Sequence, residues 1–435
     1  GTSMTVQITD NLDPVTKENM MGIAFETTTM SADGTTTTGT CKLSDIATWT
    51  VGTAPDSLTS ENQTQFVTVT ADTLPGYNTT VQARQVKKTL DASTLTDEIV
   101  YGKDNGLGLI DMRGLDYDDE KWDALLDQLT PSDYQTLITQ SGYGTAAIKS
   151  VDKPSTTDRD TATGLVNYGF DASGNLYFKG NITHCGVIVL AQTYNDDLAT
   201  HYGENIGDES YYLGVDGWYA PAVNMHRTAF SGRNSEYYSE DPFLSGTVAS
   251  KEVYGAATKG LYAYIKHFAF NDQEDHRGDC DGQYGLATWL NEQSAREIYL
   301  KPFEMCMKLG DVELNYLEQK SDGTYENATR QIRACQAVMT AFNRIGYTWT
   351  GGSYNLLTGI ARNEWAFNGM MITDNANTGV FMDGYQMIEA GGDIKLTYLA
   401  DSARFDFDKN DTATYHYARE AMHRVLYTVA NSKAM

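Results

Sequence analysis

The chain has 435 residues, 41% of them hydrophobic, which is enough apolar material for a large buried core. It carries 58 acidic and 32 basic side chains, giving a formal net charge of −26 at pH 7. This charge repels nucleic acids and anionic membrane surfaces, so neither is expected as a partner, and neutral substrates fit better than polyanions. Solubility alone explains much of the acidity.

The five cysteines show no Cys-x-x-Cys spacing. They are Cys41, Cys185, Cys280, Cys306 and Cys335. Structural free thiols are therefore favoured over disulfides or a metal site, and neither a metal nor an organic cofactor is expected. No run approaches the roughly 18 apolar residues of a membrane span, and the polar start lacks a signal-peptide core. The protein is expected to be soluble, and the sequence leaves a cytoplasmic or secreted location open.

Residues 1–95 are rich in Thr, Asp and Gly and contain short β-type runs. The candidate strands are Thr5–Thr9, Ile23–Met30, Gln65–Thr70 and Thr80–Val86, with Thr35–Thr38 as a loop or hairpin tip. This pattern predicts a β-rich accessory segment or linker without chemistry of its own.

Residues 96–435 are predicted to form a second, larger unit. Trp122, Leu125 and Leu129 recur at helical spacing, and Thr130-Pro131 is typical of the start of a second helix. Strand-then-helix pairs follow: Val187–Ala191 with Asp196–Asn205, Tyr219–Met225 with Pro242–Thr258, Tyr262–Phe270 with Leu290–Leu309, Ala337–Asn343 with Tyr354–Trp365, and Met370–Asp374 with Val380–Ala390, before a last helix Thr412–Ala430.

Repeated β-then-α units predict an α/β fold, specifically an (α/β)8 TIM-type barrel with active groups on the loops after the strands. An open doubly wound sheet is the competing architecture. It is disfavoured because no Gly-x-Gly-x-x-Gly follows any of the strands.

Polar side chains follow three of these strands. Asp374 ends one apolar run, Lys266 and His267 end another, and Arg227 and Arg233 come after a third. Sugar hydroxyls present adjacent donors and acceptors, so carboxylates combined with cationic donors suit a glycan. Phosphate is also compatible, although the missing Gly-rich loop weakens that interpretation.

Several motifs occur in a recognisable order. They are Tyr219–Arg227 with Gly232–Glu236 and Ser239–Pro242, Lys266–Phe268 with Asn271–Glu274, Arg296–Glu304, Val338–Asn343, and Met371–Asp374. In this order they resemble the motifs of family 3 glycoside hydrolases, in particular the β-glucosidase-like members. The resemblance covers residues 115–435, and residues 1–95 have no part in it.

The resemblance implies a retaining β-glycosidase in which Asp374 attacks the anomeric carbon and water later hydrolyses the glycosyl-enzyme. The substrate-binding residues that it implies are Asp160, Arg233, Lys266, His267 and Met339.

A retaining mechanism also needs a second carboxyl about 5 to 5.5 Å from the nucleophile. No motif in the chain supplies it. In the family this acid/base lies on a second domain after the barrel, and the ending of this chain resembles members with permuted domain order. We therefore expect a companion polypeptide that carries the acid/base domain.

The chain departs from the family pattern at three positions. Asp160-Thr161-Ala162 stands where Asp-Gly-Pro is usual, Asn375 where a Trp follows the nucleophile, and Phe342 where a Tyr donates to it. Loss of a hydrogen bond to the charged form predicts a raised pKa for Asp374.

Structural roles are the alternative for the same residues. Taken alone, Asp374 fits a helix cap, and Lys266 and His267 fit a buried ion pair and a core histidine. Asp160 fits a turn cap, and Arg227 fits scaffold and ligand contact equally well.

Arg233 also fits a scaffold pair with Glu236 or Glu240. The run 272–281 matches neither an EF-hand nor a zinc motif, so a solvated loop is favoured there, with His276 as a weak candidate acid/base.

The predicted activity is a β-glucosidase that hydrolyses terminal non-reducing glucose from a β-linked oligosaccharide or an aryl glycoside. β-Xylosidase or mixed exo-glycosidase activity is the nearest variant, because a pentose pocket differs mainly around the sixth carbon. A catalytically inactive glycan-binding protein and a phosphorylase are the alternatives from other classes.

Overall fold

The computed structural model describes strands within the first 94 residues and most of the chain after them. The described residues are 25–30, 36–41, 85–87, 95, 97–166, 168–178, 182–274, 277, 279–280, 283–284, 286–288, 290, 292–345, 348–377, 382–397 and 405–435.

A six-stranded parallel sheet forms the centre of the fold. Its strands are β1 (Asp158–Asp160), β2 (Gly217–Tyr219), β3 (Tyr262–Phe268), β4 (Ala337–Thr340), β5 (Met370–Asn375) and β6 (Ile394–Leu396). Each strand pairs in parallel with the next one along the chain. Strands that follow each other in chain order are typical of a barrel, whereas a doubly wound sheet reverses its order at a switch point. The predicted α/β barrel-type fold is confirmed.

Helices surround the sheet. The α-helices are Lys121–Leu126, Pro131–Thr139, Val187–Gln192, Asp196–Leu213, Pro242–Ala257, Glu292–Ser294, Lys301–Met307, Gly384–Ala390 and Thr412–Ala430, with π-type helices Ala295–Tyr299 and Asn355–Glu364 and 3-10 turns Leu109–Met112, Lys149–Val151, Asn234–Glu236 and Thr350–Gly352. No helix in the described ranges is both long and apolar enough to cross a bilayer.

Both faces of the sheet are buried, which explains its nearly continuous apolar strands. On one face Tyr264 and Ile372 pack with side chains of the helices before β1 and after β6, such as Trp122 and Leu426. The other face packs against the helices that connect the strands.

The cap predicted at Thr130 is present. The Asp133 amide donates to the Thr130 hydroxyl at 3.3 Å, and the Thr130 amide donates to the Asp133 carboxylate at 2.8 Å. Pro131 occupies the first turn, where its missing N–H costs no hydrogen bond. The last helix, Thr412–Ala430, has the bounds expected from its periodicity.

Two predicted elements were wrong. Val187–Ala191 is not a strand but part of the helix Val187–Gln192, in which Val187, Leu190 and Ala191 are buried at helical spacing. A run this short does not distinguish a buried helix from a buried strand. Thr36–Thr38 is not a loop, because it lies in the strand Thr36–Cys41, which pairs antiparallel with Phe25–Met30.

The β-rich character of the first segment agrees with the antiparallel sheet of Phe25–Met30, Thr36–Cys41 and Gln85–Lys87. The candidate strands Thr5–Thr9 and Gln65–Thr70 lie outside the described residues.

Short strands outside the main sheet were not predicted. They pair as Tyr168–Phe170 with Leu176–Phe178, Asp279–Cys280 with Gln283–Tyr284, Arg344–Ile345 with both Ala287–Thr288 and Thr348–Trp349, and Asp311–Gln319 with Tyr325–Arg333. The last pair forms a long antiparallel ribbon whose base is buried through Val312, Leu314 and Ile332.

Candidate active site

Four predicted site residues, on three strands, lie at the carboxyl edge of the sheet. Asp160 ends β1, Lys266 and His267 lie near the end of β3, and Asp374 is the penultimate residue of β5. Because all the strands are parallel, their carboxyl ends share one edge, where barrel enzymes place their chemistry.

Asp374 is nearly buried, with 8% of its surface exposed. Its Oδ1 accepts a hydrogen bond from the backbone amide of Asn375 at 2.7 Å. Its Oδ2 has no hydrogen-bond donor in the described part of the chain, although Arg277 Nη1 and His267 Nε2 lie 3.6 and 3.7 Å away. One carboxylate oxygen is thus fixed, and the other faces two nitrogen groups at distances slightly beyond hydrogen bonding.

Burial raises the pKa of Asp374 above its ordinary value, because removal from water disfavours the charged form. The Arg277 cation, the Asn375 amide, Arg233 and Lys266 oppose this rise. The direction agrees with the sequence prediction, but burial is the largest cause.

His267 lies beside Asp374, with its Nε2 3.7 Å from Asp374 Oδ2. Burial and then the cations Arg233, Lys266 and Arg277 lower its pKa well below the ordinary value. Its backbone is fixed by Asn224, whose Oδ1 accepts from the His267 amide at 2.8 Å and whose Nδ2 donates to the His267 carbonyl at 3.0 Å.

Lys266 is buried and forms an ion pair with Asp160. Its Nζ is 2.5 Å from Asp160 Oδ1, which also accepts from the Thr161 amide at 2.7 Å. The Asp160 side chain is 46% exposed, whereas that of Lys266 is 2% exposed. Desolvation opposes ionisation of Asp160, but Lys266 and the Thr161 amide outweigh it, and the pKa of Asp160 is lowered.

Arg233 joins a network of charges beside Asp374. Its Nη2 is 2.5 Å from Glu236 Oε2, and its Nη1 is 3.4 Å from Glu274 Oε1. Glu274 also accepts from Arg277 Nε at 2.8 Å and from Asn271 Nδ2 at 2.9 Å. The expected pair of Arg233 with Glu236 is therefore present, and the same guanidinium reaches towards the candidate site.

Met339 is buried in β4, with 3% of its surface exposed. It pairs in register with Ile372 of β5, and Ile372 precedes Asp374 by two residues. The pairing of β5 with β6 shifts register between Ile372 and Asn375, so strand alternation alone does not place Asp374 on the face of Ile372 and Met339.

Phe342 also lies near this edge, and the Arg277 guanidinium stands over its ring at 4.7 Å from the centroid. A phenyl ring accepts this cation–π contact but has no hydroxyl to donate to Asp374.

Sequence reasoning missed Glu274 and Arg277. The interpretation of run 272–281 as a solvated loop was wrong at both positions, because they take part in the charge network around Asp374. The interpretation was also wrong for Asp272, because its carboxylate accepts a hydrogen bond from the Met225 amide at 2.5 Å. Burial raises the pKa of Asp272 to about 7. The three-residue spacing of Glu274 and Arg277 was the available signal. His276 lies outside the described residues.

Arg227 does not join this network among the described contacts. Its guanidinium stands 5.2 Å from the centroid of the Tyr299 ring and hydrogen-bonds the Tyr299 hydroxyl. A search of the described ranges for three or more His, Cys, Asp or Glu side chains placed to hold a metal ion finds none.

Parts of this chain are similar to known proteins. Residues 173–314 match the family model of the glycosyl hydrolase family 3 N terminal domain. This stretch includes Arg233, Lys266 and His267. A β-glucosidase A from Butyrivibrio fibrisolvens is 35% identical over 208 residues, which are 48% of this chain and 21% of that protein. A β-glucosidase from Ruminococcus albus is 30% identical over 295 residues, 64% of this chain and 27% of that protein.

Over these residues the chain is similar to β-glucosidases and to the N-terminal domain of glycosyl hydrolase family 3. Among solved structures, β-glucosidase 3B from Thermotoga neapolitana, in complex with glucose, superposes with a TM-score of 0.57 at 27% identity. The match covers 72% of this chain and 43% of that one. The family resemblance predicted from the ordered motifs is confirmed, and the chain spans less than half the length of each of these relatives.

Proposed function

We propose that this chain is the catalytic barrel of a retaining β-glycosidase of the β-glucosidase type. The observation that carries the proposal is the half-free carboxylate of Asp374. Its Oδ1 is fixed by the Asn375 amide, and its Oδ2 is buried without a donor among the described residues. A nucleophile needs one oxygen held in place and the other available to attack the anomeric carbon.

The surrounding side chains suit a neutral sugar. Lys266 supplies buried donors, and the half-exposed Asp160 supplies acceptors directly beside them. Adjacent hydroxyls of a pyranose both donate and accept, so this pair matches a vicinal diol. His267 and Arg233 add further polar groups around the candidate nucleophile, and the buried Met339 of the neighbouring strand β4 supplies an apolar side chain.

Glucose is the substrate class that the relatives favour, since the similar proteins are named β-glucosidases. β-Xylosidase or mixed exo-glycosidase activity is the nearest variant. Comparison of kcat/KM for aryl β-glucoside and aryl β-xyloside distinguishes the two, because only the hexose carries a hydroxymethyl group.

We also propose that the acid/base carboxyl comes from polypeptide outside residues 1–435. Glu274 is the described carboxylate linked most directly to Asp374, through Arg277, and its oxygens are already bound by Arg277, Asn271 and Arg233. An acid/base must exchange a proton with the leaving group, which such contacts oppose. Intact-mass and gel analysis of an active preparation tests this point: full activity on unactivated disaccharides from the 435-residue chain alone contradicts it.

The nucleophile is tested separately with an activated substrate. A dinitrophenyl β-glucoside needs little leaving-group protonation, so its cleavage reports on Asp374 without the acid/base. Asp374→Asn should abolish the release of dinitrophenol, whereas Asp196→Asn, at an exposed carboxylate on the helix Asp196–Leu213, should leave it unchanged. Equal release by wild type and Asp374→Asn contradicts the proposal.

A catalytically inactive glycan-binding protein is the second candidate. The raised pKa of Asp374 favours it, because a protonated carboxyl is a poor nucleophile. Glucose binding by calorimetry, together with no release of dinitrophenol by the wild type at any pH, selects this candidate.

A further inference from the structure

A cavity of about 770 Å³ lies at the end of the sheet opposite Asp374. It is bounded by the segment 114–119, the base of the antiparallel ribbon and the end of the last helix. The lining includes Tyr117, Arg330, Gln336, Gly369, Tyr427 and Asn431. Gly369 precedes β5 directly, and Asp374 lies five residues further along the strand, about 16 Å away. The cavity is therefore distinct from the candidate active site.

Arg330 lines this cavity, and its guanidinium is only partly hydrogen-bonded among the described residues. Its Nη2 donates to the Ser432 carbonyl at 2.8 Å, but its Nε and Nη1 are buried and have no acceptor in the described part of the chain. Over the same residues, no carboxylate lies within ion-pair distance of Arg330. Nε and Nη1 lie on opposite edges of one guanidinium, and each is a charged donor that suits a carboxylate or phosphate oxygen.

Gln336 adds an unused acceptor. It is 4% exposed, and its Nε2 donates to the carbonyls of Arg333 at 2.9 Å and Asn431 at 3.2 Å. Its Oε1 has no donor within the described residues. A buried acceptor without a donor costs free energy, so a ligand hydroxyl here is favourable.

The other polar side chains that line the cavity favour a ligand with hydroxyl groups over a polyanion. Four aspartates, Asp116, Asp118, Asp119 and Asp311, line the same cavity and disfavour a polyanion. Their oxygens accept hydrogen bonds from hydroxyl groups, and the rings of Tyr117 and Tyr427 provide amphipathic surface.

We propose that this cavity binds a small polyhydroxylated ligand with a single oxyanion group, the oxyanion bound to Arg330 and a hydroxyl donating to Gln336. A sugar phosphate and a uronate share this chemistry. The proposal does not depend on hydrolysis at Asp374, because the cavity belongs to the opposite edge of the sheet.

Calorimetric titration of the 435-residue chain with four probes tests the ligand class. Glucose 6-phosphate and glucuronate carry both an oxyanion and sugar hydroxyls. The two controls are glucose, which lacks the oxyanion, and inorganic phosphate, which lacks the sugar hydroxyls. At least one of the first two should bind, with a Kd at least about tenfold below those of glucose and phosphate, since each charge-assisted bond adds affinity. Equal affinity for glucose, binding of phosphate alone, or no heat from either sugar acid at millimolar concentration overturns the proposal.

Variants locate the bound ligand. Arg330→Met should raise the Kd at least about tenfold, and Arg330→Lys should give an intermediate value because an ammonium keeps the charge but loses the directed guanidinium donors. Lys308→Met removes an exposed cation outside the cavity and serves as the charge-matched control. Circular dichroism establishes that each variant is folded, and hydrogen exchange of the wild type should show ligand-dependent protection in segment 114–119.

Lys266→Met separates this site from the one beside Asp374. If the heat of ligand binding disappears in Lys266→Met and persists in Arg330→Met, the ligand binds at the candidate active site, and this result contradicts the proposal. Heat lost only in Arg330→Met supports it, whether or not the chain hydrolyses glycosides.

Discussion

Arg277 lies between Glu274 and Asp374 and contacts both carboxylates. Its Nε is 2.8 Å from Glu274 Oε2, and its Nη1 is 3.6 Å from Asp374 Oδ2. The same guanidinium stands over the Phe342 ring. Glu274 and Phe342 therefore position the cation that favours the ionised form of Asp374.

Replacement of Arg277 should shift the pH dependence of hydrolysis. The Arg277 cation opposes the burial that raises the pKa of Asp374, so Arg277→Met should raise that pKa further. A nucleophile must be ionised, so the acidic limb of kcat/KM for an activated aryl glucoside should move to higher pH. Arg277→Lys should preserve most of the wild-type profile. An acidic limb that stays in place in Arg277→Met contradicts this role.

Phe342→Tyr should have the opposite effect. A phenol hydroxyl beside Asp374 would donate a hydrogen bond to the charged form, which lowers the pKa of the carboxyl. We expect the acidic limb to move to lower pH and kcat/KM to rise several-fold below the wild-type optimum. The change is measured with the same activated substrate, and Phe367→Tyr, at a buried phenylalanine on another part of the fold, is the control. A profile unchanged by Phe342→Tyr shows that the hydroxyl does not reach Asp374.

Replacement of Asp160 and replacement of Lys266, the two members of one ion pair, should lower stability by different amounts. Asp160→Ala leaves a buried ammonium without its carboxylate, whereas Lys266→Met leaves a half-exposed carboxylate that water can solvate. After allowance for solvent screening, Asp160→Ala should lower the free energy of unfolding by about 2 kcal/mol. Lys266→Met should lower it by less. Urea denaturation at pH 7 measures both, and a larger loss in Lys266→Met contradicts the expected asymmetry.

Asp158 should produce a pH-dependent loss of stability. It is fully buried, and burial raises its pKa to about 6 in spite of hydrogen bonds from the hydroxyls of Tyr262 and Tyr264 at 2.8 and 2.9 Å. The folded state therefore binds this proton more tightly than the unfolded state. Its stabilising contribution is complete below about pH 4 and is lost as pH rises through about 6, by roughly 3 kcal/mol.

Asp158→Asn removes this titration. The difference in free energy of unfolding between wild type and variant, measured from pH 4 to 7, should change in favour of the variant as pH rises. A difference that stays constant over this range means that Asp158 titrates alike in the folded and unfolded chains.

The sequence predicted the part of the site that depends on regular structure. Lys266, His267 and Asp374 follow buried parallel strands, and the carboxyl ends of such strands share an edge. It did not predict the position of Arg277, which belongs to an irregular segment without periodicity. It also missed the ribbon of Asp311–Gln319 and Tyr325–Arg333, whose outer part has few apolar side chains to mark it as strand.

The sequence also did not predict the cavity at the opposite end of the sheet. Arg330 and Gln336 are six residues apart, but the lining also includes segment 114–119 and Asn431. Contacts between such distant segments depend on packing that no local pattern encodes.

The central claim is that Asp374 forms a covalent bond to a sugar. Incubation with a 2-fluoro-glucoside bearing a good leaving group should trap this intermediate, and peptide mass mapping should locate the added mass on Asp374. Asp374→Asn should remain unlabelled under the same conditions. Label on a different residue, together with wild-type turnover by Asp374→Asn, would contradict the account.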